Sequence, residues 1–276
     1  MNNVVVRSIS GVVFILAMLA CLMFNKFLFA GLIIFIMSVM LLEFYHITMG
    51  NSYTFSKVLA IIAAIFLFGL LFATASYHIP IRFVAFAMVP IFIVMINSLY
   101  VKDKDEYGKF SNIYTGLLYI AVPIALSNLI AFDKAGNFSG NLLLCFFIII
   151  WCSDVGAFAF GISLGKIFPQ KLFPSVSPKK TWIGFIGGLV SSVLAAFALY
   201  EFGILKFPLI HCLILSFIMS VTGVYGDLFE SQWKRVYGVK DSGNIIPGHG
   251  GFLDRFDSTL MAMPFGAIYL AIFDLL

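Results

Sequence analysis

Residues 231–257 crowd charged side chains and a histidine between two apolar runs. Within these 27 positions stand Lys234, Arg235, Lys240, Asp241, Asp254, Arg255 and Asp257, with His249, in a sequence only 11% charged. Glycines 238, 243, 248, 250 and 251 interleave them. Arg and Lys neutralise phosphate oxygens. Asp holds hard divalent cations, and glycine lets backbone N–H groups approach an anion. Such a segment between two apolar runs suits a site for phosphates and a divalent metal. Asp227, Ser231 and Lys234 follow spacings of four and seven, so a continuing helix would present them on one face. Asp254 and Asp257, three apart, share a face at the start of the last apolar run. Acids there suit the helix dipole as well as a metal, and simple N-terminal capping is the plainer alternative. His249, flanked by Gly248 and Gly250 in a polar loop, is placed to donate to a phosphate or shuttle a proton. A loop-ordering hydrogen bond is the other reading of it.

A second group lies upstream. Asp154 is the thirteenth residue of the 23-residue apolar run 142–164. A carboxylate at that depth is costly in lipid, so it faces an aqueous cavity, a cation or a partner group; a structural ion pair or a helix–helix hydrogen bond is the alternative. Gly161 to Lys166 is one residue short of a P-loop, and Ile167 stands where Ser or Thr should bind magnesium. Gly156, Gly161 and Gly165 therefore read as close-packing positions. Ser177-Pro178-Lys179-Lys180-Thr181 sets two lysines just before a helix start, an anion-attracting end, or else a positive-inside loop. Glu43 and His46 could line a vestibule or snorkel to the interface. The lysines and acids of 102–109 read as a solvated loop, and His78 and His211 are expected to do no chemistry. Cys21, Cys145, Cys152 and Cys212 lie in apolar runs without metal spacing and read as packing residues.

These groups need elements to hold them. The chain is 62% hydrophobic with 32 Phe, and its mean hydropathy is +1.05. A membrane span takes about 20 mostly apolar residues, which predicts an all-α polytopic membrane protein with about nine transmembrane helices. They are expected near 4–24, 27–47, 57–76, 79–99, 113–132, 142–164, 183–202, 207–228 and 259–276. No polar stretch is long enough for a separate domain, so residues 1–276 read as a single integral-membrane domain. The first run is too long for a signal-peptide core and lacks a small-residue cleavage site. Cytoplasmic loops carry the positive excess. With nine spans, thirteen Lys and Arg fall on the side of the N-terminus and four on the other, which predicts a cytoplasmic N-terminus. Removing the eight cations of loops 165–182 and 229–258 leaves five against four. Loops six and eight share that side, so the lysine pair, the polar segment and the aspartates can converge at the cytoplasmic membrane face.

The polar segment resembles the signature of the phosphatidate cytidylyltransferases (CDP-diacylglycerol synthases). Its ordered elements appear here as Ser231, Lys234-Arg235, Lys240-Asp241, His249-Gly250-Gly251 and Asp254-Arg255-Phe256-Asp257. The upstream Ser177–Thr181 with Trp182 and Gly184 is similar too, although Ile183 occupies a position where that family has Glu. The resemblance implies a single catalytic domain in a bacterial cytoplasmic (inner) membrane. It would convert CTP and phosphatidate to CDP-diacylglycerol and pyrophosphate with Mg2+, a second cation being compatible with the number of acids. On that reading Asp227 and Asp254, with Asp257 and Asp154, hold the metal. Lys179, Lys180, Lys234, Arg235, Lys240 and Arg255 divide between CTP and the lipid headgroup. Ser231, Gly250 and Gly251 contribute to substrate binding, and His249 to catalysis. Membrane lipids are partners, nucleic acid is not, and a homodimer is left open. The competing classes are a transporter for an anionic solute, which intramembrane Asp154 would fit, and another phospholipid-headgroup enzyme. Against transport, the ionisable residues concentrate at one face.

Overall fold

A backbone in lipid must satisfy its own N–H and C=O groups, so each apolar run has to become a helix. The computed structural model describes residues 3–101, 107–246, 248 and 250–276, with side chains from Ser10 onward. Its helices are α1 (Asn3–Phe24), α2 (Lys26–Met49), α3 (Thr54–Tyr77), α4 (Met88–Ser98), α5 (Tyr107–Gly116) and α6 (Val122–Ala131). They continue with α7 (Asn141–Leu164), α8 (Trp182–Glu201), α9 (Leu209–Val236) and α10 (Leu253–Ile272). Among the described residues, seven helical stretches are long and apolar enough to cross a membrane: 26–49, 54–77, 81–98, 107–131, 141–164, 182–201 and 209–236. The protein is an all-α polytopic membrane protein. α1 and α10 are helical where the first and last spans are expected.

The chain divides into two compact units. The first holds α1–α6 and the segment Val239–Arg255. Asn25 caps α2, its side-chain oxygen accepting from the Phe27 N–H at 2.7 Å. Tyr45 on α2 is fully buried and donates to the Ile113 carbonyl of α5 at 3.0 Å. Residues 81–87 form a 3-10 turn leading into α4, and a π-helical turn, Leu117–Ala121, joins α5 to α6. Pro123 follows that turn; it has no N–H for the carbonyl of Tyr119, and widening the turn is a common way to accommodate such a gap. Between α6 and α7, the Asp133 carboxylate accepts from the backbone N–H groups of Ala135 and Asn137 at 2.9 and 2.8 Å.

The second unit holds α7, α8, α9 and the chain from Phe256 onward. Two short strands join α7 to α8, β1 (Lys171–Phe173) and β2 (Ser177–Thr181), paired antiparallel with Lys171 opposite Thr181. The lysine pair therefore sits in extended backbone, where the sequence suggested only a loop. Thr181 then caps α8, accepting from the Gly184 N–H at 3.2 Å. α7 and α8 pack through small residues: a Cβ on Gly188 would stand 2.8 Å from the Ser153 carbonyl. Ser153 also hydrogen-bonds Ser220 of α9 at 2.8 Å. α9 runs two turns beyond the end of its apolar stretch, because pairs spaced by four support it. Ser231 donates to Asp227 and Lys234 pairs with Glu230.

Candidate active site

In the second unit a cavity of about 500 Å³ runs along the C-terminal half of α7. Asp154, in the middle of α7, lines it, and Phe158 and Ile162 follow one and two turns later. Lys179 and Lys180 of β2 and Asp227 of α9 supply the rest of its charge. The cavity thus joins two carboxylates and two ammonium groups to apolar walls. Lys180 Nζ lies 2.5 Å from Asp227 Oδ2, with about a quarter of each side chain exposed (26% and 29%). The other oxygen of Asp227 accepts from the Ser231 hydroxyl at 3.2 Å. Asp154 accepts from Ser258 of α10 at 3.5 Å.

Asp257 is partly buried on α10, and the charges of Asp227, Glu230 and Asp154 all act on it. α10 comes this close because residue 226 is glycine: a Cβ there would stand 2.5 Å from the Asp257 carbonyl. Carboxylates of like charge brought together need a cation or protons among them. Their donor atoms are all oxygens, which suits a hard cation such as Mg2+ rather than zinc or copper. Among the described residues no three acidic, His or Cys side chains already converge into a coordination group. The acids fit such an ion by charge and donor type.

Two of the expected cations are engaged elsewhere. Lys234 does not line the cavity; it pairs with the buried carboxylate of Glu230. Arg235 is exposed, and its Nε donates to the Val176 carbonyl at 3.4 Å, tying α9 to the strand connection.

The rest of the signature belongs to the first unit. Lys240, Asp241 and Arg255 are exposed. Asp254 Oδ2 accepts from the Ser242 N–H at 2.8 Å, the Ser242 hydroxyl at 2.9 Å and the Gly251 N–H at 2.9 Å. Asp254 therefore organises the segment, as well as standing at a helix start. Gly250 is at φ +83°, and a Cβ on it would lie 2.8 Å from Asp254 Oδ2, so this position requires glycine twice over. His249 and Pro247 lie outside the described residues.

Sequence reasoning missed the partner of this segment. Glu43 of α2 neither lines a vestibule nor snorkels. Its carboxylate is buried and accepts from the N–H groups of Phe252 at 3.0 Å and Leu253 at 2.9 Å, and its Oε2 lies 3.1 Å from the Ser242 hydroxyl. Nothing in the local sequence pairs residues some 200 positions apart. The Glu230–Lys234 pair, by contrast, carried a readable spacing of four.

Comparison with known proteins agrees with these features. A phosphatidate cytidylyltransferase of Bacillus subtilis (strain 168) is 41% identical over 182 residues, covering 65% of this chain and 63% of that protein. Phosphatidate cytidylyltransferases of Staphylococcus saprophyticus and Staphylococcus aureus (strain COL) are 45% and 46% identical over 124 residues, 45% of this chain and 46% of theirs. The alignments span about half to two thirds of the length of these curated relatives. The sequence profile of the Cytidylyltransferase family matches residues 5–273, nearly the whole chain. With the paired lysines, the acids of α7, α9 and α10 and the Lys240–Asp257 segment all inside that match, the chain belongs to the Cytidylyltransferase family.

Proposed function

We propose that this protein is a phosphatidate cytidylyltransferase of the bacterial membrane, forming CDP-diacylglycerol and pyrophosphate from CTP and phosphatidate. The observation that carries this reading is the cavity beside α7, with Lys179, Lys180, Asp154 and Asp227 against Phe158 and Ile162. Charged groups beside apolar walls suit a substrate that is both a phosphate and a lipid. The named activity of the bacterial relatives supports the same choice.

An oxygen of the lipid phosphate attacks the α-phosphorus of CTP. The bond from that phosphorus to the bridging oxygen of the β-phosphate breaks, and pyrophosphate leaves with the electron pair. The nucleophile is already anionic near neutral pH, so no strong protein base is required. Lys179 and Lys180 hold phosphate oxygens and offset the charge that moves onto the leaving group. Lys240, Arg235 and Arg255 draw the two anionic substrates to the membrane face. Lys234 keeps Glu230 neutralised beside the acids, and Ser231 orients Asp227. Magnesium would be held by Asp227, Asp257 and Asp154, whose number of acids also suits a second cation, and Asp254 of the signature segment is taken as a metal ligand on the strength of the signature alone. When bound, the ion supplies a Lewis acid on the triphosphate and relieves the repulsion among these carboxylates. The remaining work is positioning. Nine spans with a cytoplasmic N-terminus would set the charged loops on the side where CTP is found.

The test is incorporation of radiolabelled CTP into lipid by the purified protein with Mg2+ and phosphatidate. Label should enter the organic phase, dependent on phosphatidate, with release of pyrophosphate in equal amount. Incorporation with diacylglycerol or a free alcohol but not phosphatidate would refute the substrate, and no incorporation with any lipid would refute the activity.

A further inference from the structure

Glu43 is the one acid of α2, a mostly apolar helix, at 6% exposure, in a place where the proposed chemistry does not require one. Its contacts show what it does in the fold. The N–H groups of Phe252 and Leu253 belong to the start of α10, where helix geometry leaves donors without intrahelical acceptors. A neighbouring Ser, Thr, Asp or Asn usually caps such donors. Here the residues at that start are Phe252 and Leu253, which cannot, and the acceptor comes from α2. Glu43 Oε1 takes Phe252 at 3.0 Å and Oε2 takes Leu253 at 2.9 Å. A full negative charge at this end also suits the helix dipole.

The same carboxylate reaches the other end of the segment. Oε2 lies 3.1 Å from the Ser242 hydroxyl, and that hydroxyl lies 2.9 Å from Asp254 Oδ2. Two glycines make the room. A Cβ on Gly243 would stand 2.6 Å from Glu43 Oε1, and one on Gly251 would stand 2.5 Å from Oε2. Asp254 Oδ2 is in turn held by Ser242 and Gly251, residues of the two stretches that Glu43 fastens together.

We infer that Glu43 is a positioning residue: its buried carboxylate clamps both ends of the signature segment and thereby sets the orientation of Asp254. The kinetic consequence rests on the proposed role of Asp254 toward magnesium; the clamp itself does not. Groups that orient a metal ligand are worth about 10–100-fold in metal affinity or activity.

Two measurements on the full-length protein in detergent separate these claims. Hydrogen exchange is followed without metal or nucleotide in peptides covering 242–256, comparing wild type with Glu43→Gln and Glu43→Ala. Loss of a hydrogen bond at these amides should speed their exchange at least about tenfold, while peptides of α8 and α9 stay unchanged. The second measurement is the magnesium dependence of cytidylyl transfer. Glu43→Gln should raise the half-activating magnesium concentration about tenfold or more, with the KM for phosphatidate changed less than about threefold. Glu43→Gln keeps the volume of the side chain and so reports even if Glu43→Ala fails to fold. Unchanged exchange at 252–254 in Glu43→Gln would overturn the clamp. Faster exchange with an unchanged magnesium requirement, turnover falling only with the folded fraction, would overturn the link to Asp254. A wild-type protein with no cytidylyl transfer would sink the proposed activity and leave the exchange result to decide the clamp.

Discussion

Replacing Lys180 by Ala should lower kcat/KM by about 30-fold, and the figure follows from where the ammonium sits. Lys180 Nζ lies 2.5 Å from Asp227 Oδ2, with about a quarter of each side chain exposed. That is neither a solvated surface pair, worth about 0–1 kcal/mol, nor a fully buried one, whose breaking costs about 3–5 kcal/mol. A stability loss of about 1–2 kcal/mol is expected between these limits, and Asp227 retains the Ser231 hydroxyl at 3.2 Å. Catalysis should lose more, because the same ammonium faces the cavity where the proposed reaction would develop phosphate charge. One charge-assisted hydrogen bond is worth about 1.5–3 kcal/mol. Taking about 2 kcal/mol, at 1.36 kcal/mol per tenfold, gives the 30-fold loss. The assay is label transfer from CTP to phosphatidate by detergent-purified protein, normalised to folded protein by circular dichroism. Lys109→Ala is the control, an exposed cation on α5 far from the lysine pair in sequence. If both variants lost activity equally, the lysines would act only as a diffuse attraction for anionic lipid. If Lys180→Ala stayed within about threefold of wild type, the ammonium would not touch the reacting phosphates.

Asp227→Asn and Asp254→Asn should each nearly abolish turnover in protein that remains folded; near-normal activity of either at saturating magnesium would remove that residue from the metal site. Cysteine substituted at Lys240 should react with impermeant maleimide only in inside-out vesicles, and labelling from outside intact cells would overturn the cytoplasmic orientation. Hydrogen bonds from Asn137 first, and from Ala135, hold the Asp133 carboxyl below its ordinary value. A depressed folded-state pKa gives stability that is present above the unfolded value, about 3.9, and lost as pH falls through the folded one. The difference in thermal unfolding between wild type and Asp133→Asn should therefore be flat above about pH 5 and shrink under acid; a difference that grew below pH 4 would contradict the assignment.

Apolar runs were the most legible feature of the chain, because lipid leaves the backbone one economical answer wherever about 20 such residues follow one another. The run ending near Leu228 gave the apolar part of α9 but not its full length. There the helix is extended by side-chain pairs at a spacing of four, a weaker signal than hydropathy yet present in Asp227–Ser231 and Glu230–Lys234. The strand pair at 171–181 was hidden for a different reason. It has three residues on one side and five on the other, with Pro178 inside, too short for alternation to show and tolerable only at an edge. Residue types and spacing marked Asp154, Asp227 and the two lysines as candidates, and helix geometry explains why these reach one cavity. Asp154 needed somewhere polar to face at mid-span, and Lys180 needed a counter-charge.

Glu43 was beyond the reach of local pattern. An acid near the end of an apolar helix reads the same whether it snorkels or is buried, since both place one carboxylate beside aromatic and aliphatic neighbours. What distinguishes the two is whether donors wait for it. The donors here are backbone N–H groups of Phe252 and Leu253, invisible in any side-chain inventory. The one legible trace was negative. The residues opening α10 offer no Ser, Thr, Asp or Asn before Leu253, although a helix start with buried residues on either side must satisfy its donors somehow. A missing local cap ahead of a helix that carries a candidate site acid is thus a reason to search the rest of the chain for an orphan carboxylate. Among the described residues Glu43 and Glu230 are the buried acids, and Glu230 already has Lys234 one turn away. That elimination needs the burial the structure supplies, and it is why the exchange behaviour of the 252–254 amides in Glu43→Gln is the sharpest single measurement on this fold.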